Sequence, residues 1–470
     1  MTNDPILYWN EVALEANKVS HTTKQDGAQV NGPTLSSRAL AIIHIAMYDA
    51  YIGTSGSALT KYLGYANAPA GASVTAAIGA AAHATLSKLY PSQKATFELM
   101  HSKAMISGTT DEINEGHKYG LEIANLILSD RKNDPNASDD GYAPYPSHGC
   151  HRPDPWDNKQ GYHAPFYGAN SHLFSSTPFA LDTPPVALDS DPKYNKAIKQ
   201  VRGKGIIPEL MGTLPSSGYS KRTVDETLIG IFWGYDGANE LGTPPRLYNQ
   251  IIKEIAVKAG TTLEQNAHLF ALINVAMGDA GILAWKEKFR HNYWRPVVGI
   301  REHDHSMGPL GTPNNNIDND CDPLWLPLGA PNSNSKDKNN ATPSFPAYPS
   351  GHATFGAATF EIAKMFFANE GINLTPIFNN CAFVSDEFNG TTTDSRGIIR
   401  PRHARKFTGF DQMILENGLS RVYLGVHWEF DAFERDAAGV IIPGSNIGGV
   451  ALGKNIANVV FNGGAGLIKA

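Results

Sequence analysis

Apolar residues recur at helical spacing along most of the chain, whereas the alternation of polar and apolar β-branched residues that marks strands is scarce. The helical pattern is clearest in SSRALAIIHIAMYDAYIG, SVTAAIGAAAHATLSKLY, SQKATFELMHSKAM, DEINEGHKYGLEIANLILSD, VDETLIGIFWGY, RLYNQIIKEIAVKA, residues 262–294, HATFGAATFEIAKMFFANE, GFDQMILENGLSRVYL and GGVALGKNIANVVF. Thr262 followed by Gln265 predicts a capping box at the start of segment 262–294. The pattern predicts an all-α protein.

Two stretches lack the helical pattern. Residues 133–220 are rich in proline, glycine and aromatic residues, and a loop of that length is usually functional or disordered. Because the aromatic residues argue against disorder, we expect an ordered loop that wraps the core or lines a channel. The second stretch, residues 308–349, leads into a helix start. We expect an N-terminal helical bundle with the first loop, residues 1–200, and a C-terminal helical bundle, residues 201–470.

The longest apolar run, AHLFALINVAMGDAGILAW, is interrupted by Asn274 and Asp279 and therefore indicates a buried core helix rather than a membrane span. The chain of 470 residues is 41% hydrophobic and 18% charged, with a formal net charge of −6. Because nucleic-acid binding requires a basic face, this balance argues against it. We expect a soluble protein with no nucleic-acid or membrane partner.

Targeting and redox signals are weak. The first residues lack a basic segment followed by an apolar one, so we expect no signal peptide in this chain. A cytoplasmic protein would fit, or a secreted or periplasmic one if the start is a processed one. The three cysteines, Cys150, Cys321 and Cys381, cannot all pair, which leaves room for one disulfide and a free thiol.

Two polar clusters in loops can be interpreted either as solvent-exposed loop residues or as functional residues. Asp318, Asp320 and Asp322 offer oxygen ligands for calcium, but they lack the glycine and distal glutamate of an EF-hand loop. A solvated loop is favoured. His303 and His305 have no evident role, and we expect both to be exposed to solvent.

The segment PSFPAYPSGHATFG, residues 343–356, places chemistry at the start of a helix. Ser350 there is typical of a helix cap, and Gly351 lets the backbone approach a ligand closely. A helix N-terminus also attracts anions through its free N–H groups and its dipole. His352 would then stand beside the anion as a proton donor or acceptor. A structural cap alone is the other interpretation.

Cationic residues that could complete an anion site occur in two further segments. Lys288 and Arg295 are seven residues apart, which predicts one face of a single helix. Arg421 and His427 flank a predicted helix end at Gly425, and Asp431 follows four residues after the histidine. Singly, each element is a weak signal, but Kx6RP, PSGH and SRx5Hx3D in this order form a specific signature.

These segments resemble the vanadium-dependent haloperoxidases, which share their active-site plan with type 2 phosphatidic acid phosphatases and bacterial acid phosphatases. FWGYDG, TPPRLYNQI, DPLWLPL and TPSFPAYPSGHATF extend the resemblance over residues 223–453. It implies two packed helix bundles, with vanadate at the end of a C-terminal, phosphatase-like catalytic bundle. The residues implied to bind the vanadate oxygens are Lys288, Arg295, Ser350, Gly351 and Arg421.

The resemblance also implies roles around this set. His427 would be the metal ligand, oriented by Asp431. His352 would be the acid or base, and Lys288 would also polarise the peroxide. Asp236 would pair with Arg421.

Trp285 and Phe345 would border the halide. Aromatic residues at these two positions resemble the chloroperoxidase pattern, yet bromide and iodide are safer expectations than chloride.

The activity implied is oxidation of halide by hydrogen peroxide, followed by halogenation of a small organic acceptor, with vanadate as cofactor and neither haem nor flavin. Residues 432–447 are longer than the compact fungal pattern and could shape the entrance or an interface, which leaves a homo-oligomer open.

Two other functions remain open. An acid phosphatase of the same superfamily would use His427 as a nucleophile and form a phosphohistidine. A non-enzymatic oxyanion-binding protein would keep the fold without the chemistry. Trp285, the FWGYDG segment and the aromatic loops favour the haloperoxidase, because phosphoryl transfer requires none of them.

Overall fold

The computed structural model describes residues 3–26, 30–317, 320–336, 338–462 and 467. The helices are α1 (Pro5–Thr23), α2 (Gly32–Ser55), α3 (Val74–Leu89), α4 (Lys94–Lys103), α5 (Thr110–Asp130), α6 (Tyr167–Asn170), α7 (Pro192–Lys204), α8 (Val224–Phe232), α9 (Pro244–Ala259), α10 (Leu263–His291), α11 (Pro296–Arg301), α12 (Gly351–Asn369), α13 (Thr375–Asn380), α14 (Phe410–Tyr423) and α15 (Gly449–Asn462). Two short strands, β1 (Phe383–Val384) and β2 (Ala404–Arg405), pair antiparallel. The prediction of an all-α protein is confirmed.

Local sequence signals explain where most helices begin. The capping box predicted at Thr262 and Gln265 is present, and the same reciprocal hydrogen bonds begin α5 and α8. The side-chain oxygen of Thr262 accepts from the Gln265 N–H and the Gln265 side chain accepts from the Thr262 N–H, which satisfies two free donors at the helix start.

Two helices, the short α6 and the longer α7, lie within residues 133–220 and correct the prediction of a loop there. Helix α7 begins at Pro192, and the Asp191 side chain accepts from the N–H groups of Lys193 and Tyr194. Its buried residues Tyr194, Ile198 and Val201 recur at helical spacing. The lysine-rich remainder of the helix masks this pattern in the sequence. Helix α1, absent from the predicted set, begins in the same way with Asp4 as cap and Pro5 in the first turn.

Helix α10 runs through the centre of the fold. It contacts α2 from the N-terminal half of the chain and α12 and α15 from the C-terminal half. Within the described ranges it alone is long and apolar enough to cross a membrane, but 94% of its apolar window is buried inside the protein. It is therefore the core helix that its interrupting polar residues indicated.

The remaining long helices pack in two groups around α10. Helices α2, α3 and α5 contact one another in the N-terminal half, and α12 contacts α14 and α15 in the C-terminal half. The molecule thus has the two packed helix bundles that were expected, while the boundary at residue 200 stays a prediction.

Loop residues differ from expectation at several positions. No disulfide joins any two of Cys150, Cys321 and Cys381, so the disulfide that the sequence left possible is absent. His303 is buried and pairs with Asp189, which contradicts the expected exposure, whereas His305 is exposed. Asp320 and Asp322 both lie near the Arg202 guanidinium, at 3.7 and 3.6 Å. Asp318, the remaining member of the candidate calcium cluster, lies outside the described residues.

Candidate active site

The start of α12 is built as the sequence predicts. Ser350 is the N-cap residue, its hydroxyl accepts from the Ala353 N–H at 3.4 Å, and its own N–H donates to the Asp431 carbonyl at 2.8 Å. Gly351 lies against Trp285, where an added Cβ would stand 3.4 Å from the indole ring. The capping role and the close approach of backbone to a cavity are therefore both present.

A cavity of about 50 Å³ lies at this helix start. Of the predicted site residues, it is lined by Asp236, Trp285, Phe345, Gly351, His352, Arg421 and His427, whereas Lys288, Arg295 and Ser350 do not line it. Pro33, at the start of α2, also borders it. The cavity is thus shared between the two halves of the chain.

His427 is held from both sides of its ring. It follows the end of α14, where Gly425 adopts a φ of 74° and turns the chain. Its Nδ1 lies 2.8 Å from Asp431 Oδ2, which also accepts from the Trp428 N–H at 3.0 Å. Because the Arg295 guanidinium can only donate, and its Nη1 lies 2.8 Å from Nε2, the Nε2 lone pair accepts this hydrogen bond and Nδ1 carries the proton, which it donates to Asp431.

Arg295 reaches the site by a route that the spacing did not predict. Helix α10 ends at His291, because Asn292 adopts a left-handed conformation with a φ of 48°, and Arg295 is the residue before α11. Lys288 and Arg295 therefore do not share a helix. Arg295 Nε donates to the Phe345 carbonyl and Nη1 to the Val426 carbonyl, both at 2.8 Å.

Arg421 forms the ion pair expected with Asp236. Its Nη2 and Nη1 donate to the two carboxylate oxygens at 2.8 and 3.0 Å. Burial acts to raise the pKa of Asp236, but the charge and hydrogen bonds of Arg421 together with other nearby groups outweigh it, and the pKa lies below its usual value. Asp236 is therefore ionised and fixes the orientation of Arg421.

Lys288 is fully buried in α10. Its Nζ donates to the carbonyl oxygens of Pro346 at 2.9 Å, Ala347 at 3.1 Å and Pro349 at 2.5 Å. Burial lowers its pKa well below the usual value, with Arg295 adding to the shift. All three ammonium protons are occupied, so contact with a ligand oxygen would require Lys288 to release one carbonyl.

His352 faces the cavity as a neutral imidazole. Burial, followed by the Arg421 charge, lowers its pKa to about 3. Its Nε2 has no hydrogen-bond partner among the described residues, whereas its backbone carbonyl accepts from Asn417 at 2.7 Å and from Tyr248 at 3.2 Å. The backbone is fixed and the ring nitrogen remains available for proton transfer.

The charge and the unpaired donors of the site favour an oxyanion. Lys288, Arg295 and Arg421 outnumber the carboxylates Asp236 and Asp431, and burial raises the Asp431 pKa to about 7, although the cations act to lower it. Arg295 Nη2 and Arg421 Nε are buried without a partner in the described part of the chain. Because unpaired buried donors are costly, the site is suited to a tetrahedral oxyanion.

Trp285 and Phe345 form an aromatic side of the cavity. Their ring centroids lie 4.7 Å apart, and Lys288 Nζ lies 5.0 Å from the Phe345 centroid. The indole Nε1 of Trp285 donates to the His163 carbonyl at 3.1 Å. The residues expected around the halide are therefore adjacent to the cationic cluster.

Sequence reasoning missed contributors from the N-terminal half and from neighbouring helices. Pro33 and His163 carry no motif that relates them to the cavity. Tyr235 lies within the FWGYDG segment and could have been noted from it. Asn417, which holds the His352 carbonyl, lies four residues before Arg421 and could have been suggested by helical spacing.

Comparison with known proteins identifies the family of the chain. Residues 268–468 match the family domain described as the VCPO second helical-bundle domain, and residues 1–160 match the vanadium chloroperoxidase N-terminal domain. The chain is 34% identical to a vanadium chloroperoxidase from Curvularia inaequalis over 97% of this chain and 83% of that protein.

Two bacterial crystal structures share the fold. A bacterial vanadium-dependent iodoperoxidase superposes with a TM-score of 0.63 at 19% identity, over 98% of this chain and 97% of the other. A holo-type bacterial vanadium-dependent chloroperoxidase gives a TM-score of 0.60 at 15% identity, over 93% of each chain. The architecture is thus shared by proteins named for different halides.

Proposed function

The chain belongs to the vanadium chloroperoxidase family and is a vanadium-dependent haloperoxidase, and on this premise we propose which of its residues bind vanadate and which halides it oxidises. The observation that carries the assignment is the set of unpartnered buried donors, Arg295 Nη2 and Arg421 Nε, beside the Nε2 lone pair of His427. A tetrahedral oxyanion requires these donors, and a transition metal requires that nitrogen.

The residues present fit vanadate. Arg295, Arg421 and the start of α12 at Ser350 and Gly351 would hold its oxygens, and His427 would bind the metal once Arg295 Nη1 gives up the imidazole nitrogen. Vanadate, when bound, supplies a Lewis-acid centre that activates hydrogen peroxide toward halide. Asp431 helps to keep the His427 tautomer, because its Oδ2 accepts a hydrogen bond from the Nδ1–H group.

Two side chains would act on the peroxide. Neutral His352 can accept a proton at Nε2, the ring nitrogen without a partner. Lys288 would donate a hydrogen bond to a ligand oxygen after releasing one of the Pro346, Ala347 and Pro349 carbonyls. The remaining two carbonyls would keep the ammonium in place.

We propose bromide and iodide as the halides oxidised, with chloride the harder substrate. The halide would lie against Trp285 and Phe345, next to the cationic cluster. Because the cavity measures only about 50 Å³, the organic acceptor, which we propose to be a small molecule, would react outside it.

Halogenation of monochlorodimedone tests the assignment. The metal-free protein with hydrogen peroxide is assayed before and after addition of orthovanadate, with chloride, bromide or iodide. We expect vanadate-dependent activity with bromide and iodide that is absent from a His427→Ala variant. Hydrolysis of p-nitrophenyl phosphate that vanadate inhibits, without halogenation of any halide, would indicate the acid phosphatase instead.

A further inference from the structure

His163, from the long loop of the N-terminal half, contacts both aromatic residues of the cavity. Its ring centroid lies 5.9 Å from that of Trp285, edge to face at 87°, and 6.1 Å from that of Phe345. Edge-to-face contacts of this kind hold rings in a defined mutual orientation. One imidazole is therefore packed behind the two rings that border the proposed halide site.

The backbone of His163 also holds Trp285 and the residue before Phe345. Its N–H donates to the carbonyl of Ser344, the residue before Phe345, at 2.8 Å. Its carbonyl accepts from Trp285 Nε1 at 3.1 Å. Displacement of His163 would consequently move both aromatic side chains, because Trp285 contacts its ring and donates to its carbonyl, while Phe345 contacts its ring and follows the residue that its N–H holds.

The start of α2 anchors the imidazole itself. His163 Nε2 lies 3.1 Å from Thr34 Oγ1, and Pro33 beside it lines the cavity. Gly32 has a φ of 81°, and a Cβ added there would stand 2.3 Å from the His163 ring. The backbone of Gly32 thus leaves the space that the imidazole occupies.

We propose that His163 is a positioning residue that sets the separation of Trp285 and Phe345 and thereby the size of halide that the cavity accepts. The inference rests on the proposed assignment of the halide site. Removal of the ring would leave a void into which the two aromatic rings can spread. A wider site would contact bromide poorly, while the larger iodide would retain its contacts.

The charge state of His163 is consistent with a role in positioning the two aromatic rings rather than in attracting the halide. Burial lowers the pKa of His163 to about 4, with the nearby His21 adding to the shift. The imidazole is therefore neutral where the enzyme would work and does not attract the halide electrostatically.

Steady-state kinetics of a His163→Ala variant test the proposal. The vanadate-loaded enzyme is assayed for KM and kcat with bromide and with iodide, and the vanadate affinity of the metal-free protein is measured by calorimetry. We expect the ratio of bromide KM to iodide KM to rise about tenfold, the scale on which a pocket discriminates by size. Vanadate affinity should be unchanged.

Further variants separate ring packing from general damage. His163→Phe retains an aromatic ring and should restore most of the wild-type ratio. Thr34→Val removes only the contact at His163 Nε2 and should raise the ratio of bromide KM to iodide KM by a smaller factor. This variant tests the positioning role even if His163→Ala does not fold. His268→Ala is the matched control, because that imidazole packs on Tyr48 and Phe366 and does not line the cavity.

The results that would contradict the proposal can be distinguished from one another. An unchanged KM ratio in both His163→Ala and Thr34→Val would overturn the positioning role while leaving the proposed function intact. A parallel loss of vanadate affinity and of activity with both halides would reduce His163 to a structural residue. If the wild-type protein oxidised no halide with vanadate present, the proposed function would fail, and this inference would fail with it.

Discussion

At the scale of single residues, Asp431 determines how His427 is presented. The carboxylate accepts from the imidazole Nδ1 and from the Trp428 N–H. An Asp431→Asn variant would place an amide there and no longer favour the tautomer with a free Nε2. We expect vanadate affinity to fall about 10–100-fold, as for other residues that orient a metal ligand. Calorimetric titration of the metal-free protein measures it.

The control is Asp411→Asn, which removes an exposed carboxylate that pairs with Lys364. Its vanadate affinity should equal that of the wild type. Equal affinities for Asp431→Asn and the wild type would show that the tautomer of His427 is fixed by some other contact.

Lys288 is predicted to stabilise the folded protein even in the absence of vanadate. Lys288→Met would leave three buried carbonyls without their donor, at a cost of about 1–3 kcal/mol per group left unsatisfied. We therefore expect a lower free energy of unfolding in the metal-free protein, measured with denaturant. A metal-free variant as stable as the wild type would mean that those carbonyls find other donors or water.

The residue types of the site could be predicted from the sequence, whereas their geometry could not. The motifs identified Lys288, Arg295 and His427, but the spacing placed the first two on one helix. The left-handed conformation of Asn292 ends α10 before Arg295. Asparagine tolerates that conformation without requiring it, so the sequence left the helix end undetermined.

At the scale of elements, the contact between α12 and α15 positions the anion site. A Cβ added to Gly453 would stand 2.4 Å from the Thr354 carbonyl oxygen, which means that the two helices approach closely there. We expect Gly453→Ala to lower the free energy of unfolding by about 1–3 kcal/mol through overpacking. Denaturant unfolding measures the change.

Gly212 provides the comparison, because an added Cβ there meets no atom within 4 Å. Gly212→Ala should leave the stability close to that of the wild type. Two variants of equal stability would show that α15 can shift away from α12 at little cost.

Helix prediction succeeded where apolar spacing was supported by a cap, as in α5, α8 and α10. It failed at α7, where the buried positions are few and the surrounding loop is rich in proline. The Asp191 cap and the proline that follows were present in the sequence, but the same pair also occurs in turns. Packing against α11 and α14 selects the helix.

At the scale of the whole molecule, buried neutral histidines should make stability depend on pH. Burial lowers the pKa values of His21 and His44 to about 4. Between that value and about 6.5 the unfolded chain binds these protons and the folded protein does not. The contribution of the two neutral histidines to the free energy of unfolding is therefore fully present above pH 6.5. It is lost as the pH falls toward 4, by up to about 3 kcal/mol for each group.

Denaturant unfolding at several pH values between 7 and 5 measures this loss. A His44→Gln variant removes one of the two groups, so its free energy of unfolding should decline less steeply with falling pH. Identical slopes for the variant and the wild type would contradict the assigned role of His44.

The cavity as a whole could not be predicted from either half of the sequence. Pro33 lines it because α2 packs against α10, which carries Trp285 and Lys288, and His163 adjoins it through ring contacts with Trp285 and Phe345. Such long-range contacts leave no periodic signal in the chain. The motifs of the C-terminal half therefore indicated the chemistry, while the N-terminal part of the cavity became evident only in the folded molecule.

The most direct test of the central claim is a titration of the metal-free protein with orthovanadate, followed by bromide oxidation at saturating hydrogen peroxide. The account predicts activity that rises with vanadate and saturates at one equivalent per chain, and no such rise in His427→Ala. Activity that is independent of vanadate, or a His427→Ala variant that titrates like the wild type, would contradict it.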